Sequence, residues 1–595
     1  MVGTLLSAAL LLAGAAVTAA SLAGAPSASS GSTLELNWTV SAGVVAPTRH
    51  AAQAALLVNG AWRGPVVEAV EGDTVVLTLR NEAPSPVSLH FHGLSQRGTP
   101  RADGVARAST PALRSGETGR WVFEASPAGT HFWHGHAGLA AALGLHGALV
   151  VRPRTGEPLP YDAEAPPLLF SDFWAARDVA NLSAGLTARG ASFAWVGNPD
   201  ALLLNGADAS PAAGAAVPLP PGRTLRLRLI GASTLSYLNL AADGHTLRVI
   251  EADGAPVAPF DARSVDLNAG ERLSVLLTPS DEARRAGVVW LAAATRHRAG
   301  GATARVVLML PPMRDDASAP APTPADIDEP PAVPLPTQPA WNDTAATFAW
   351  CRSLRAGPGV EAPPAAEAEP LVLLGTQNRV DGLMRWSLNN VSFAYPGDPV
   401  LAVQNADDAA PDPESAAVLM SDEHGGSPLM IDVASATAHG DAHAASQQAA
   451  WVRLGSAAEA QNRSGGRYAR SAAAEAATSA LFVPFGAVVD LVLQNAPALN
   501  GVEEQHPWHM HGGAFWVMAW GEGDWPGAQA AAQLMQSPPP LKDTATLPPG
   551  GWLWLRLRAD NAGIWPLHCH ILWHLAMGMA TTLVVAPERI TPPQG

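Results

Sequence analysis

The chain has 595 residues, enough for three or four domains, and its 48% apolar and 15% charged content is that of a globular protein rather than a disordered one. A formal charge of −16 excludes nucleic acid and anionic membrane as partners, since both demand basic patches. Two cysteines, Cys351 and Cys569, leave no room for a disulfide framework.

The N-terminal residues 1–25 contain an apolar run, Leu5–Ala25, followed by small residues, which reads as a secretory signal. No Lys or Arg precedes it, and the run is long enough to serve as an uncleaved anchor. No later stretch could span a bilayer, so no stable membrane partner is expected. Sequons at Asn37, Asn181, Asn342, Asn390 and Asn462 suit a secreted, extracellular glycoprotein.

The body of the chain repeats itself. Strands opening on Gly72, Gly222 and Gly486 each lead to a second Gly-led strand, at Gly116, Gly270 and Gly550. Leu225, Leu227 and Leu229 alternate with Arg226 and Arg228, the period of a half-buried strand. Short strands between Gly, Pro and Asn turns predict an all-β protein of three tandem Greek-key β-sandwiches. We place them at 30–157, 160–310 and 346–595. A Pro/Ala-rich linker occupies 311–345, and a low-complexity insertion lies near 407–474. His424, His439 and His443 in that insertion lack strand spacing and read as loop histidines.

A third landmark carries the chemistry. His134 and His136 follow Gly129 in the register in which His568 and His570 follow Gly563, with Cys569 between them. In the middle repeat, after Gly287, alanines (Ala292 and Ala294) stand at those positions. His90/His92 and His509/His511 complete four His-x-His pairs. On a strand each pair shares one face, its members about 7 Å apart at roughly 3.3 Å of rise per residue, a spacing suited to bridging neighbouring ions. Eight imidazoles from the outer repeats can thus hold a three-metal cluster. Cys569 points the other way. With His506, His574 and the thioether of Met579 it supplies the thiolate, imidazole and weak axial sulfur of a blue-copper centre. Zinc has no redox couple, so this donor set argues for copper. His50, His131, His146, His245 and His297 lack such company and read as structural or exposed. Cys351 reads as an inert buried thiol.

With these motifs in place, the chain resembles the multicopper oxidases, nearest to the plant-type ascorbate oxidase branch. The branch-like stretches include Gln96–Gly104, Ser171–Trp174, Thr376–Trp386 and His506–Gly512. The resemblance implies cupredoxin-like sandwiches and four coppers per chain. Type 1 copper would be held by His506, Cys569, His574 and Met579, and type 2 by His90 and His509. The type 3 pair would be held by His92, His134 and His570, and by His136, His511 and His568. Asp103 matches an acid that aids proton delivery, while Trp174 and Trp386, with His574, match the substrate pocket. The implied partners are dioxygen and a small reductant, ascorbate-like, phenolic or ferrous. A non-catalytic copper-binding or cell-wall role would not need all these ligands, and a homodimer stays open. Thr110 replaces a disulfide cysteine of the branch, Gly513 a frequent histidine and Leu572 a frequent glutamate.

Overall fold

The computed structural model describes residues 31–590, apart from 49–50, 155–159, 210–214, 312–336, 367–368, 395–428, 433–474 and 478. The N-terminal apolar run, most of the linker, most of the insertion with its three histidines, and Asn462 lie outside the described residues. No described helix is long and apolar enough to cross a membrane.

Among the described residues, six sheets pack in pairs as three tandem cupredoxin-like sandwiches. In the first, a four-stranded sheet containing Thr33–Thr48 faces another that runs Val67–Val70, His146–Arg152, Gly129–Gly135, Leu89–His92. The middle pairs an eight-stranded sheet with a five-stranded one. The last pairs an eight-stranded sheet with a six-stranded one, in which Gly563–Cys569 lies between Ala580–Val585 and His506–Met510.

Each sandwich has its own apolar core. In the middle one, Leu225, Leu227 and Leu229 are fully buried, each worth roughly 1.5–3 kcal/mol over exposure. The opposite face of that strand departs from the half-buried expectation. Arg226 and Arg228 are also buried, because this face docks on the first sandwich rather than on water. Arg226 donates to Glu251 at 2.6 Å, and Arg228 to Glu164 at 3.1 Å and to the Thr130 hydroxyl at 2.6 Å. Charges buried here are tolerated because each is paired and hydrogen-bonded.

The described end of the linker segment is tied down. His297 N–H donates to Trp341 O at 2.5 Å, and Gln338 donates to Asn239 O at 2.7 Å. Asp343 then caps the helix Thr344–Ser353, accepting from Ala346 N–H at 2.9 Å. Cys351 on that helix is buried and unbridged.

Candidate metal centres and donor cavity

Four strands build the larger centre. In the first sandwich His90 is paired with His134 across adjacent antiparallel strands; in the last, His509 is paired with His568. Paired residues share a face, so both sandwiches turn histidines into the seam between them. There the donor atoms of His92, His134 and His570 converge within 4.8 Å of one another, as do those of His136, His511 and His568, and of His90, His92 and His509.

The hydrogen bonds of these rings point outward. His90 Nδ1 donates to Asp103 O at 2.8 Å, His509 Nδ1 to Asp543 O at 2.9 Å, and His568 Nδ1 to Cys569 O at 3.0 Å. A carbonyl only accepts, so each of these rings turns a bare Nε2 inward. Nε2 of His90, His134, His136 and His509, Nδ1 of His92 and both nitrogens of His570 are buried without a hydrogen-bond partner. Nε2 atoms of His511 and His568 face each other at 3.0 Å. Burial, followed by neighbouring imidazoles, pushes His92, His134, His136, His509, His511 and His570 well below the usual histidine range. These imidazoles are held toward the neutral form, with convergent inward nitrogens, which is the state a metal ligand requires.

Asp103 ends a short 3-10 turn, Pro100–Asp103, that closes on Gly104 at φ 78°. A Cβ on Gly104 would lie 1.7 Å from Leu89 O, so this turn demands glycine. The turn wedges the fully buried carboxyl between two of the clustered imidazoles, 3.2 Å from His90 Nδ1 and 3.0 Å from His511 Nδ1.

The smaller centre lies on the other face of the same strands. Trp508 is paired with Cys569, one rung from the His509–His568 pair. His506, an odd number of residues before His509, therefore shares the Cys569 face. The short helix Leu572–Ala576 folds His574 back onto it. Cys569 Sγ lies 3.5 Å from His506 Nδ1 and 3.6 Å from His574 Nδ1, with those two nitrogens 3.1 Å apart. Met579 is fully buried and bonded through its backbone to both neighbours, its carbonyl accepting from Cys569 N–H at 3.1 Å and its N–H donating to His574 O at 3.0 Å. Burial pushes the Cys569 thiol well up, so a bound cation is what would hold it as thiolate.

A cavity of about 620 Å³ opens beside His574. Trp195 forms its aromatic wall, 5.6 Å from the His574 ring between centroids, with Arg298 stacked over it at 5.7 Å. Glu504 Oε2 lies 3.2 Å from His574 Nε2 and 3.8 Å from Arg298 Nη2. Burial would raise the Glu504 pKa, but His574 and then Arg298 outweigh it and hold the carboxyl down at about 2. Neither tryptophan chosen from the resemblance lines this cavity. Trp174 is in the core of the last sandwich, donating to Val196 O at 3.1 Å with its ring edge-on to Trp573. Trp386 is fully buried beneath the smaller centre, 4.9 Å from the His506 ring and 5.2 Å from that of His574. Sequence reading missed Trp195, Arg298 and Glu504, although Glu504 stands two residues before His506. It also missed His146, which lines a cavity of about 40 Å³ together with His134, His136, His568, His570 and Leu572. That is room for a water- or dioxygen-sized molecule.

Sequence models of the multicopper oxidase family match residues 39–156, 164–308 and 447–589. An L-ascorbate oxidase of Brassica rapa subsp. pekinensis is 33% identical over 90% of this chain and 89% of its own length. One from Cucumis sativus is 33% identical over 88% and 84%. Laccase-6 of Oryza sativa subsp. japonica is 29% identical over 90% of both chains. Among solved structures, Fet3p, a multicopper oxidase that functions in iron import, superposes with a TM-score of 0.69 at 19% identity, covering 94% of this chain and 93% of its own. The laccase from Botrytis aclada gives 0.66 at 21% identity, covering 95% and 90%. With relatives this similar along nearly the whole chain and all three repeats matched, the protein belongs to the multicopper oxidases, the copper-dependent enzymes that use dioxygen as oxidant.

Proposed function

We propose that this oxidase takes single electrons from a small organic reductant, ascorbate-like in size and charge, and spends them on the four-electron reduction of dioxygen to water. The observation that carries the choice of donor is the cavity beside His574. Its volume suits a small ligand, Trp195 offers a flat face to a ring, and Arg298 offers a cation to an enolate. The similarity to L-ascorbate oxidases supports the same reading.

His506, Cys569, His574 and Met579 would hold type 1 copper. His90 and His509 would hold type 2, with His92, His134, His570, His136, His511 and His568 on the type 3 pair. When bound, copper supplies the one-electron couple at the first site and the reducing centre for dioxygen at the second. The chain supplies the rest. Cys569 is joined by a peptide bond to His568 on one side and His570 on the other, so the two centres share one covalent path. Asp103, touching His90 through Oδ1 and His511 through Oδ2, is the buried carboxyl placed to relay protons at the cluster. Separating the cavity from the histidine cluster keeps the reductant away from dioxygen.

One observation favours a second reading. A carboxylate held ionised against His574, with Glu503 beside it in the cavity wall, suits a cationic donor such as ferrous ion. Oxygen uptake with ascorbate, a catechol and ferrous ion separates the two. The proposal expects the highest kcat/KM with ascorbate; turnover with ferrous ion alone would overturn it. Exposed sequons at Asn37, Asn181 and Asn342 fit a secreted glycoprotein.

A further inference from the structure

The middle sandwich carries none of the clustered histidines, yet one of its side chains governs how a clustered imidazole is held. Arg272 begins the strand Arg272–Leu277 and is fully buried. Its Nε donates to Thr130 O in the first sandwich at 3.1 Å, and Nη1 donates to its own sandwich at Gly270 O, 3.0 Å away. The guanidinium then closes a two-pronged grip on Asp543 of the last sandwich, Nη1 to Oδ1 at 2.6 Å and Nη2 to Oδ2 at 2.5 Å. Asp543 Oδ1 also accepts from the Thr544 hydroxyl at 2.8 Å.

The carboxylate so gripped meets the cluster. His92 Nε2 lies 3.0 Å from Asp543 Oδ1 and 3.0 Å from the Thr544 hydroxyl. A carboxylate only accepts, so His92 carries its proton on Nε2 and turns a bare Nδ1 inward. This is the reverse of His90, His134, His136 and His509, whose unpartnered nitrogen is Nε2. A reversed ring needs an acceptor fixed at its far end. A bidentate guanidinium fixes the plane of a carboxylate as a single point charge does not.

We propose that Arg272 is a positioning residue for the three-copper site: by gripping Asp543 it locks His92 with Nδ1 toward the cluster, so copper loading there depends on docking of a sandwich that donates no ligand. The inference rests on the ligand reading above.

Copper titration against a competing chelator, with electron paramagnetic resonance and the blue absorption as separate readouts, tests it in the full chain. Arg272→Gln should weaken copper at the cluster about 10–100-fold, the usual effect of losing a partner that orients a ligand, while the blue band is retained. Arg272→Lys keeps the charge without the fork and should fall between wild type and Arg272→Gln. It also provides the reading if Arg272→Gln folds poorly. Arg226→Met is the control for a merely structural role. Arg226 is buried at the seam of the same first and middle sandwiches and bonded to Glu251, but it touches no imidazole, so cluster copper should stay. Wild-type cluster affinity in both Arg272 variants, or equal loss in Arg226→Met, would overturn the proposal. A wild-type chain that binds no copper would instead overturn the ligand reading beneath it.

Discussion

Trp508 and Cys569 face each other across neighbouring strands, and that pairing separates the two centres. The next rung, His509 with His568, points the opposite way because strand side chains alternate. One strand pair thus presents the Cys569 sulfur on one face and cluster imidazoles on the other, with a single peptide unit between them.

Replacing Cys569 by Ser should abolish the blue absorption and turnover together, because a hydroxyl cannot supply the thiolate. The oxygen electrode and the visible spectrum check this. Blue colour or activity surviving the change would contradict the assignment.

The donor cavity predicts opposite responses to two neighbouring charges. Arg298→Met should raise KM for ascorbate about 10–100-fold, the cost of one charge-assisted hydrogen bond, and leave ferrous ion little affected. Glu504→Gln should spare ascorbate and weaken ferrous ion. Steady-state kinetics with both donors reads the split directly.

Gly270 is a steric test of how the middle sandwich supports the cluster. It has φ 84°, and a Cβ there would lie 2.7 Å from the His570 ring. Gly270→Ala would strain the backbone by roughly 1–2 kcal/mol and displace that ring. Turnover should fall about 10²-fold from the misplaced ligand, with the blue band unchanged.

Acid should weaken a buried ion pair of the middle sandwich, on the face where Glu251 also accepts from Thr130 N–H of the first at 3.1 Å. Burial alone would raise Glu251, but Arg226 and Arg228 overcome it and hold the carboxyl at about 2. With the folded pKa below the unfolded value, the ion pair contributes fully above pH 4.5, and the contribution is lost as pH falls toward 2. At about 1.4 kcal/mol per pH unit this is on the order of 3 kcal/mol. Thermal midpoints across that window should drop less steeply in Glu251→Gln than in wild type.

Much of this was legible in the sequence because strand alternation is a short-range rule. The four His-x-His pairs, Cys569 inside one of them and the odd offset of His506 all follow from a period of two. Asp103 was reachable only through the family resemblance. Contacts that form when sandwiches dock left no local signal. Arg226 and Arg228 read as a solvent face because the pattern shows polarity without showing what covers it. Trp174 packs against Trp573 in the core, while Trp195, on a loop with no periodicity, takes the cavity wall. Arg272 and Asp543 lie 271 residues apart and meet only in the folded chain.

The most direct test of the account is the ratio of reductant oxidised to dioxygen consumed, measured with a peroxide assay in the same vessel. Electrons passing from the thiolate site into an assembled histidine cluster predict four electrons per dioxygen and no peroxide. Two electrons per dioxygen with peroxide accumulating would contradict it.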